Sequence, residues 1–484
     1  MTYRQIRHLC SISRPTDFLK KRYHFRNYKE LCERVATTAA PVDIRESAKL
    51  AMMRKLFIPA GNTLLAGVRK IRPNCSILPK VTDENIGETI TRASRLWRHH
   101  TGVGFDLSGT TDPVSVLSKL MKENRRIEFT DRCQRGNMAV VSASHPKVGE
   151  FISSKSNPLN ADILYGVNIS VAFNSDVEFE SLLWEASNKK QGLLWTAAQS
   201  AWSSGCPGLV FLHRFNASKH EKELSKLLPN LPSISTTVPC GEQGMRENES
   251  CNLGVINLAH PDLRLPKHRD GINFDRLDET VDMATRFLDN VVDLLEIDDE
   301  EMLKQTKMLR RIGLGVTGFA DLLESFNIPY ASPEALHLAS QLSSRITDQA
   351  DKTSRKLAKE KGPYMEGATR RNITVTCCQP TGNVTRLLGT AGYAIEPMMN
   401  EAVEIHWRDH VAMQIAWQEN VENAVSKTVN LPNSATVDDV LQVFKEAFLQ
   451  KSIKGIAVYR DGSRNQQPMD LSTAYKNTNC ATCA

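Results

Sequence analysis

Short apolar stretches bounded by glycine or charge, such as "GLVFLHRF" at 208–215 and "KGIAVYR" at 454–460, recur along the chain between helical segments. Strands this apolar, with no polar side to face water, are buried on both faces, and only helices layered against both sides of a sheet bury them that way. The intervening segment 277–296, "LDETVDMATRFLDNVVDLLE", places Val281, Ala284, Phe287, Leu288, Val291 and Val292 at three- and four-residue spacing, an amphipathic helix that packs by one face. No internal repeat and no Gly/Ser/Pro-rich linker interrupts this alternation before residue 464. The expectation is therefore an α/β fold in one continuous domain, and 41% hydrophobic residues over 484 positions are enough for a very large core.

The 61 basic and 55 acidic residues give a net charge of +6, too small and dispersed an excess to imply nucleic acid, while leaving anionic small molecules welcome. No run reaches the roughly 18 apolar residues of a membrane span, and the N-terminus lacks the apolar core of a secretory signal, so a soluble, cytoplasmic protein is expected. The basic residues of the first 29 positions read as a solvated face, with a targeting segment as the alternative. Eleven cysteines, an odd number, fit a disulfide scaffold poorly, so thiols, metal ligands or redox catalysts are the readings that remain. One C-x-x-C pair exists, Cys480 and Cys483, and a four-cysteine zinc site needs two, so no metal ligand set is expected. From 465 onward the composition turns polar and aperiodic, as in a flexible tail.

Within "VPCGEQGMRENESCNLG", Cys240 and Cys251 flank Glu242. By residue type alone the two are small buried core residues. "QPTGNVTRLLG" at 379–389 sets a turn with Pro380 and Gly382 before an apolar segment that could be helical, and a helix start offers unpaired amides to an anion. Further stretches give these a context: "PNCSILP" at 73–79, "RGNMAVV" with "HPKVGEFI" between 135 and 152, "RRIGLGVTGFADLL", "ENAVSKTVNLP" and "KGIAVYRDGSR". Together, and in this order, they resemble the catalytic subunit of ribonucleotide reductase, above all the adenosylcobalamin-dependent (class II) type, over most of 57–464.

The resemblance implies a ten-stranded α/β barrel of two antiparallel five-stranded parallel halves with a central finger loop. It divides the chain into an N-terminal helical segment (1–56), the catalytic barrel (57–464) and a redox tail (465–484). It implies reduction of a ribonucleotide to the 2'-deoxyribonucleotide for DNA precursor synthesis. Cys240 matches the thiyl-radical cysteine that abstracts the 3' hydrogen, and Glu242 the base that takes the 3'-hydroxyl proton. Cys75 and Cys251 match the dithiol that becomes a disulfide, and Cys480 and Cys483 the pair that re-reduces it by thiol exchange. Thr381, Gly382, Asn383 and Val384, after Pro380, look like the phosphate loop, with Thr63 and Asn74 as further substrate contacts. Arg132, Gln134, Arg135 and Asn137 resemble the loop that reports a bound nucleotide effector, and Asp83 the start of the effector site.

The implied partners are a ribonucleoside di- or triphosphate, a dNTP or ATP specificity effector, and thioredoxin or glutaredoxin; monomer and homodimer both stay open. A lone Tyr459, where oxygen-dependent large subunits carry two adjacent tyrosines, favours adenosylcobalamin as cofactor. A class I-type large subunit with a radical-generating partner is the alternative. Val238 departs from the family, which has asparagine two residues before the radical cysteine, contacting the ribose hydroxyls. Valine makes no such hydrogen bond, so a nucleotide-binding pseudoenzyme is the second alternative.

Overall fold

The computed structural model describes residues 17–127, 136–157, 160, 163–164, 166–265, 271–398 and 401–463. Twelve strands run in chain order: β1 (Phe57–Pro59), β2 (Cys75–Ile77), β3 (Gly102–Asp106), β4 (Asn137–Ser142), β5 (Val167–Phe173), β6 (Gly208–Phe211), β7 (Thr236–Thr237), β8 (Gly244–Met245), β9 (Ser250–Asn257), β10 (Ile312–Thr317), β11 (Thr428–Leu431) and β12 (Gly455–Arg460). Strands β2 to β6 pair in sequence order, all parallel, with helices between them. The other half is also parallel. β9 pairs β10, Leu314 bridges to Thr376, Cys378 bridges to Val425 just before β11, and β11 pairs β12. The halves meet antiparallel at two seams, Cys75 opposite Cys251 and Leu209 opposite Ile456. The ten-stranded sheet of the expected two-halved α/β barrel is thus present.

Alternation along the strands separates inside from outside. In β4, Ala139 and Val141 face the outer helices, while Met138 and Val140 join Ala172, Val210, Phe215 and Ile234 in an inner cluster. A second inner cluster holds Cys75, Ile77, Val238, Met245, Cys251, Leu253 and Cys377. The hairpin of β7 and β8, whose residues belong to neither wall, contributes to the second cluster and its approach, Ile234, to the first, so it threads the barrel's interior.

The amphipathic segment expected at 277–296 forms the helix Phe274–Leu294, begun one turn earlier because the Asn273 side chain accepts from the Arg276 amide. "GLVFLHRF" is a strand only to Phe211 and then turns into the short helix Leu212–Asn216. The cause is Arg214, whose buried guanidinium donates to Ala447 O (3.1 Å), Gln450 O (2.9 Å), Ile453 O (2.7 Å) and Phe448 O (2.6 Å), satisfying the end of helix Val437–Leu449. The helices Tyr28–Ala39 and Arg45–Met53 bury Val35, Ala36, Ala48 and Met52 in the same core as Phe57, Val255 and Phe287.

Just beyond β8 lies a buried ionic cluster. Arg311 Nε donates to Glu249 (2.8 Å) and its Nη2 to Glu221 (2.9 Å), while Arg246 also binds Glu221. Nearby, Arg370 binds Glu422 at 2.6 Å, and Lys454 Nζ donates to the Glu422 and Asn423 carbonyls, each at 2.6 Å.

Candidate active site

Thr237 stands opposite Gly244 in the central hairpin, and Val238 N extends the ladder by donating to Gln243 O (2.9 Å). Gly241 N then donates to Val238 O (2.9 Å), closing a turn whose second residue, Pro239, arrives with its φ already set. Gly241 has φ +80°, a conformation that a side chain would strain. Two outside bonds hold this tip: Asn168 of β5 donates its amide to Pro239 O (2.9 Å), and Ala424 N donates to Glu242 O (2.9 Å). Cys240 sits at the turn, half-buried.

The hairpin reaches this position because β3 presents hydrogens where other strands present side chains. A Cβ on Gly102 would stand 2.9 Å from the Pro239 ring and 3.0 Å from Cys75 Sγ, and one on Gly104 would overlap Thr237 O. The sequence signal was "GVGF", two glycines at the period of a strand, and it was not read as a site feature.

A cavity of about 580 Å³, counting the space at its mouth, opens at the tip. Ile58, Ala60, Leu253, Val255 and Val384 give it apolar walls, and Asn74, Cys75, Cys240, Glu242, Gln379, Pro380 and Thr381 bring its chemistry. Cys75 and Cys251 are direct cross-strand partners, which sets their Cα atoms roughly 4.5–5.5 Å apart, inside the range a disulfide spans. On the opposite face Ser76 and Ser250 share a hydrogen bond of 2.6 Å, which pins the register. The hydrogen bond with Cys251, burial, and the nearness of Glu242 and Cys240 hold the Cys75 thiol well above its ordinary pKa. The seven described cysteines are all reduced. Burial raises the Glu242 carboxyl to about 7, and its Oε2 has no hydrogen-bond partner. A carboxyl balanced near neutrality beside three thiols can exchange protons with whatever fills the cavity.

The other expected residues separate. Asn74 and 380, 381 and 384 line the cavity, whereas Thr63, Gly382 and Asn383 are not among its lining residues. The Thr381 hydroxyl is taken up internally, accepting from Ala394 N (2.8 Å) and bonding Thr317 (3.0 Å) and Thr385 (2.7 Å), so its backbone is what it has to offer a ligand. The helix expected after this turn is Gly382–Leu388. Val238 is wholly buried between Cys75, Ile77 and Cys251 and is not on the cavity wall. Asp83 is exposed and accepts from Thr111 N (3.1 Å). Asn137 accepts from Trp97 Nε1 (2.9 Å), and its neighbour Gly136 lines the cavity. Arg132, Gln134, Arg135, Cys480 and Cys483 lie outside the described residues. Asn168, Cys377 and Gln379, with the glycines of β3 and β10, are site residues that sequence reasoning missed. Among the described residues no cluster of three His, Cys, Asp or Glu side chains could hold a metal ion, and no helix is long and apolar enough to cross a membrane.

A thiol on an interior hairpin, a cross-strand cysteine pair and a buried carboxyl thus meet at one cavity inside a two-halved ten-stranded barrel. The chain belongs to the ribonucleotide reductase family, whose barrel domain matches residues 164–376 and 391–459. It is 31% identical over 86% of its length to the vitamin B12-dependent ribonucleoside-diphosphate reductase of Thermoplasma acidophilum, spanning 65% of that protein. It is also 31% identical, over 87% of its length, to the enzyme of that name from Mycobacterium tuberculosis, spanning 71% of it. In fold it is similar to the class Id ribonucleotide reductase alpha subunit of Actinobacillus ureae, with a TM-score of 0.76, 16% identity, and 92% and 96% of the two chains covered.

Proposed function

We propose that this chain reduces ribonucleotides to 2'-deoxyribonucleotides with adenosylcobalamin as cofactor, a thiyl radical on Cys240 and the Cys75–Cys251 dithiol as two-electron donor. The observation that carries the reading is the convergence of Cys75, Cys240 and Glu242 on one cavity, with Cys251 paired to Cys75 behind it. The residues present fit the cofactor. The half-buried Cys240 thiol lies on the cavity wall beside Gly102 and Gly136, which would face it, and β12 offers Tyr459 alone between Val458 and Arg460 in place of a tyrosine pair. Bound adenosylcobalamin supplies, by homolysis of its cobalt–carbon bond, the one-electron oxidant for the Cys240 thiol.

The chain's own residues do the rest. The barrel encloses Cys240 against solvent. Glu242 takes and later returns the proton of the 3'-hydroxyl, for which a pKa near 7 suits it, and Cys75 and Cys251 give up two electrons and two protons as they join in a disulfide, the 2'-hydroxyl leaving as water and a hydrogen taking its place. The backbone amides of the turn at 381–384, of which Thr381 and Val384 line the cavity, supply donors to the substrate's phosphates. The substrate is a ribonucleoside di- or triphosphate. A dNTP or ATP effector acts through Asp83, Asn137 and the residues Arg132, Gln134 and Arg135. Thioredoxin or glutaredoxin restores the dithiol through Cys480 and Cys483, and a homodimer is the assembly that would bring two effector regions together.

Anaerobic incubation with adenosylcobalamin, a dithiol and each ribonucleoside di- and triphosphate is the test, with deoxynucleotide as the product. Nucleotide binding without deoxynucleotide under every combination would overturn the reading in favour of the pseudoenzyme.

A further inference from the structure

Strand β10 carries Gly313 and Gly315, and the space their missing side chains leave is filled by Leu253 and by three polar groups, one from the finger and two from the segment 376–379. A Cβ on Gly313 would overlap Gln243 Nε2 and stand 2.5 Å from Cys377 Sγ; one on Gly315 would overlap the Gln379 amide oxygen. Gln243 follows Glu242 on the finger, Cys377 lies in the strand-like segment 376–378, and Gln379 precedes Pro380 on the cavity wall. Gln243 Nε2 donates to Cys377 Sγ (3.5 Å), the Cys377 thiol donates to Gln379 Oε1 (3.4 Å), and Gln379 Nε2 donates to Gly254 O (2.8 Å). The three bonds run in one direction, and all three side chains are buried.

We propose that this relay couples occupancy of the loop at 380–384 to the position of Glu242 and Cys240 on the finger, with Cys377 as the positioning residue between them. The inference rests on reading the cavity as a nucleotide site. A buried cysteine is ordinarily a small packing residue. Here the sulfur both accepts and donates, and burial, with Glu242 nearby, keeps its proton in place by holding its pKa well above the ordinary value. Hydrogen bonds to sulfur are long and individually weak, so such a link can shift with the loop where a direct amide pair would lock the two segments together.

Serine and alanine at 377 separate relay from packing. Serine keeps a donor and an acceptor; alanine keeps the apolar contact and removes both. With CDP and the cofactor-loaded protein, Cys377→Ala should lower kcat about tenfold or more with KM within about twofold, and Cys377→Ser should restore much of the loss. Hydrogen exchange without turnover gives the second reading: CDP should slow exchange at 236–245 in the native chain and in Cys377→Ser, but not in Cys377→Ala. An alanine variant equal to the native chain, or a serine variant worse than alanine, overturns the relay, as does CDP binding that leaves the native finger unprotected. If no variant forms deoxynucleotide yet finger protection follows the serine–alanine pattern, the relay stands and the reductase reading falls.

Discussion

Glu242 is where burial and chemistry meet in one side chain. In the proposed role it would act as a base only when ionised, so kcat should rise with pH through about 7, and Glu242→Gln should lose about 10²–10⁴-fold in kcat with nucleotide binding retained. Its carboxyl pKa is higher folded than unfolded, so ionisation costs stability above pH 7 and nothing below the unfolded value near 4.3. Glu242→Gln should therefore raise Tm at pH 8, by a cost relieved on the order of 3 kcal/mol, and lose that advantage as the pH falls toward 4. Equal Tm differences at both pH values would contradict the buried ionised carboxylate. Val238 changes meaning once it is seen. The missing asparagine suggested a lost ribose contact, yet the valine fills an apolar cluster behind the cavity. Val238→Asn should then lower stability by about 1–3 kcal/mol through an unpaired amide and leave turnover no higher, measured by thermal melts and deoxynucleotide formation.

The hairpin is an element whose neighbours decide what it can do. β7 and β8 are two residues each, too short to hold a shape alone, and they are positioned by β3, β5 and the segment before β11. Gly104→Ala should cost roughly 1–3 kcal/mol of stability and displace Cys240, reducing turnover while the barrel's circular dichroism persists. Asn168→Ala, which frees the Pro239 carbonyl, should lower kcat more than KM, whereas unchanged kinetics would show that the backbone bonds suffice. The sequence showed the finger's thiol and carboxyl in "VPCGEQ" but not its seat. Gly102 and Gly104 are more than 130 residues from it in the chain, and a glycine in a strand says that something approaches without saying what.

The whole molecule rests on charges it has buried. Burial alone would raise the carboxyls of Glu221 and Glu422, but Arg311 and Arg246 beside the first, and Arg370 and His220 beside the second, outweigh it and hold both below the ordinary range. Stability from these pairs is complete above the unfolded value near 4.3 and is lost as pH falls through the folded values, so acid unfolding should set in below about pH 4. Arg311→Met, which takes the cation from Glu249 and leaves Glu221 with Arg246 alone, should destabilise by about 3–5 kcal/mol, measured by thermal melts at neutral pH. Under the proposed shuttle, replacing Cys480 and Cys483 with serine should abolish turnover with thioredoxin and spare it with a small dithiol, and equal loss with both would contradict a shuttle. By itself the sequence determined the alternation of strands and helices and supplied the thiols and carboxyl that the proposed chemistry uses, because the period of a strand or helix and the chemistry of a thiol or carboxyl are local properties. Only the tertiary structure decided that Cys75 faces Cys251, that Val238 turns away from the cavity, that the Thr381 hydroxyl is already taken, and that Gln243, Cys377 and Gln379 touch. Those relations depend on strand register and on space left by absent side chains far off in the chain, which no window of sequence contains.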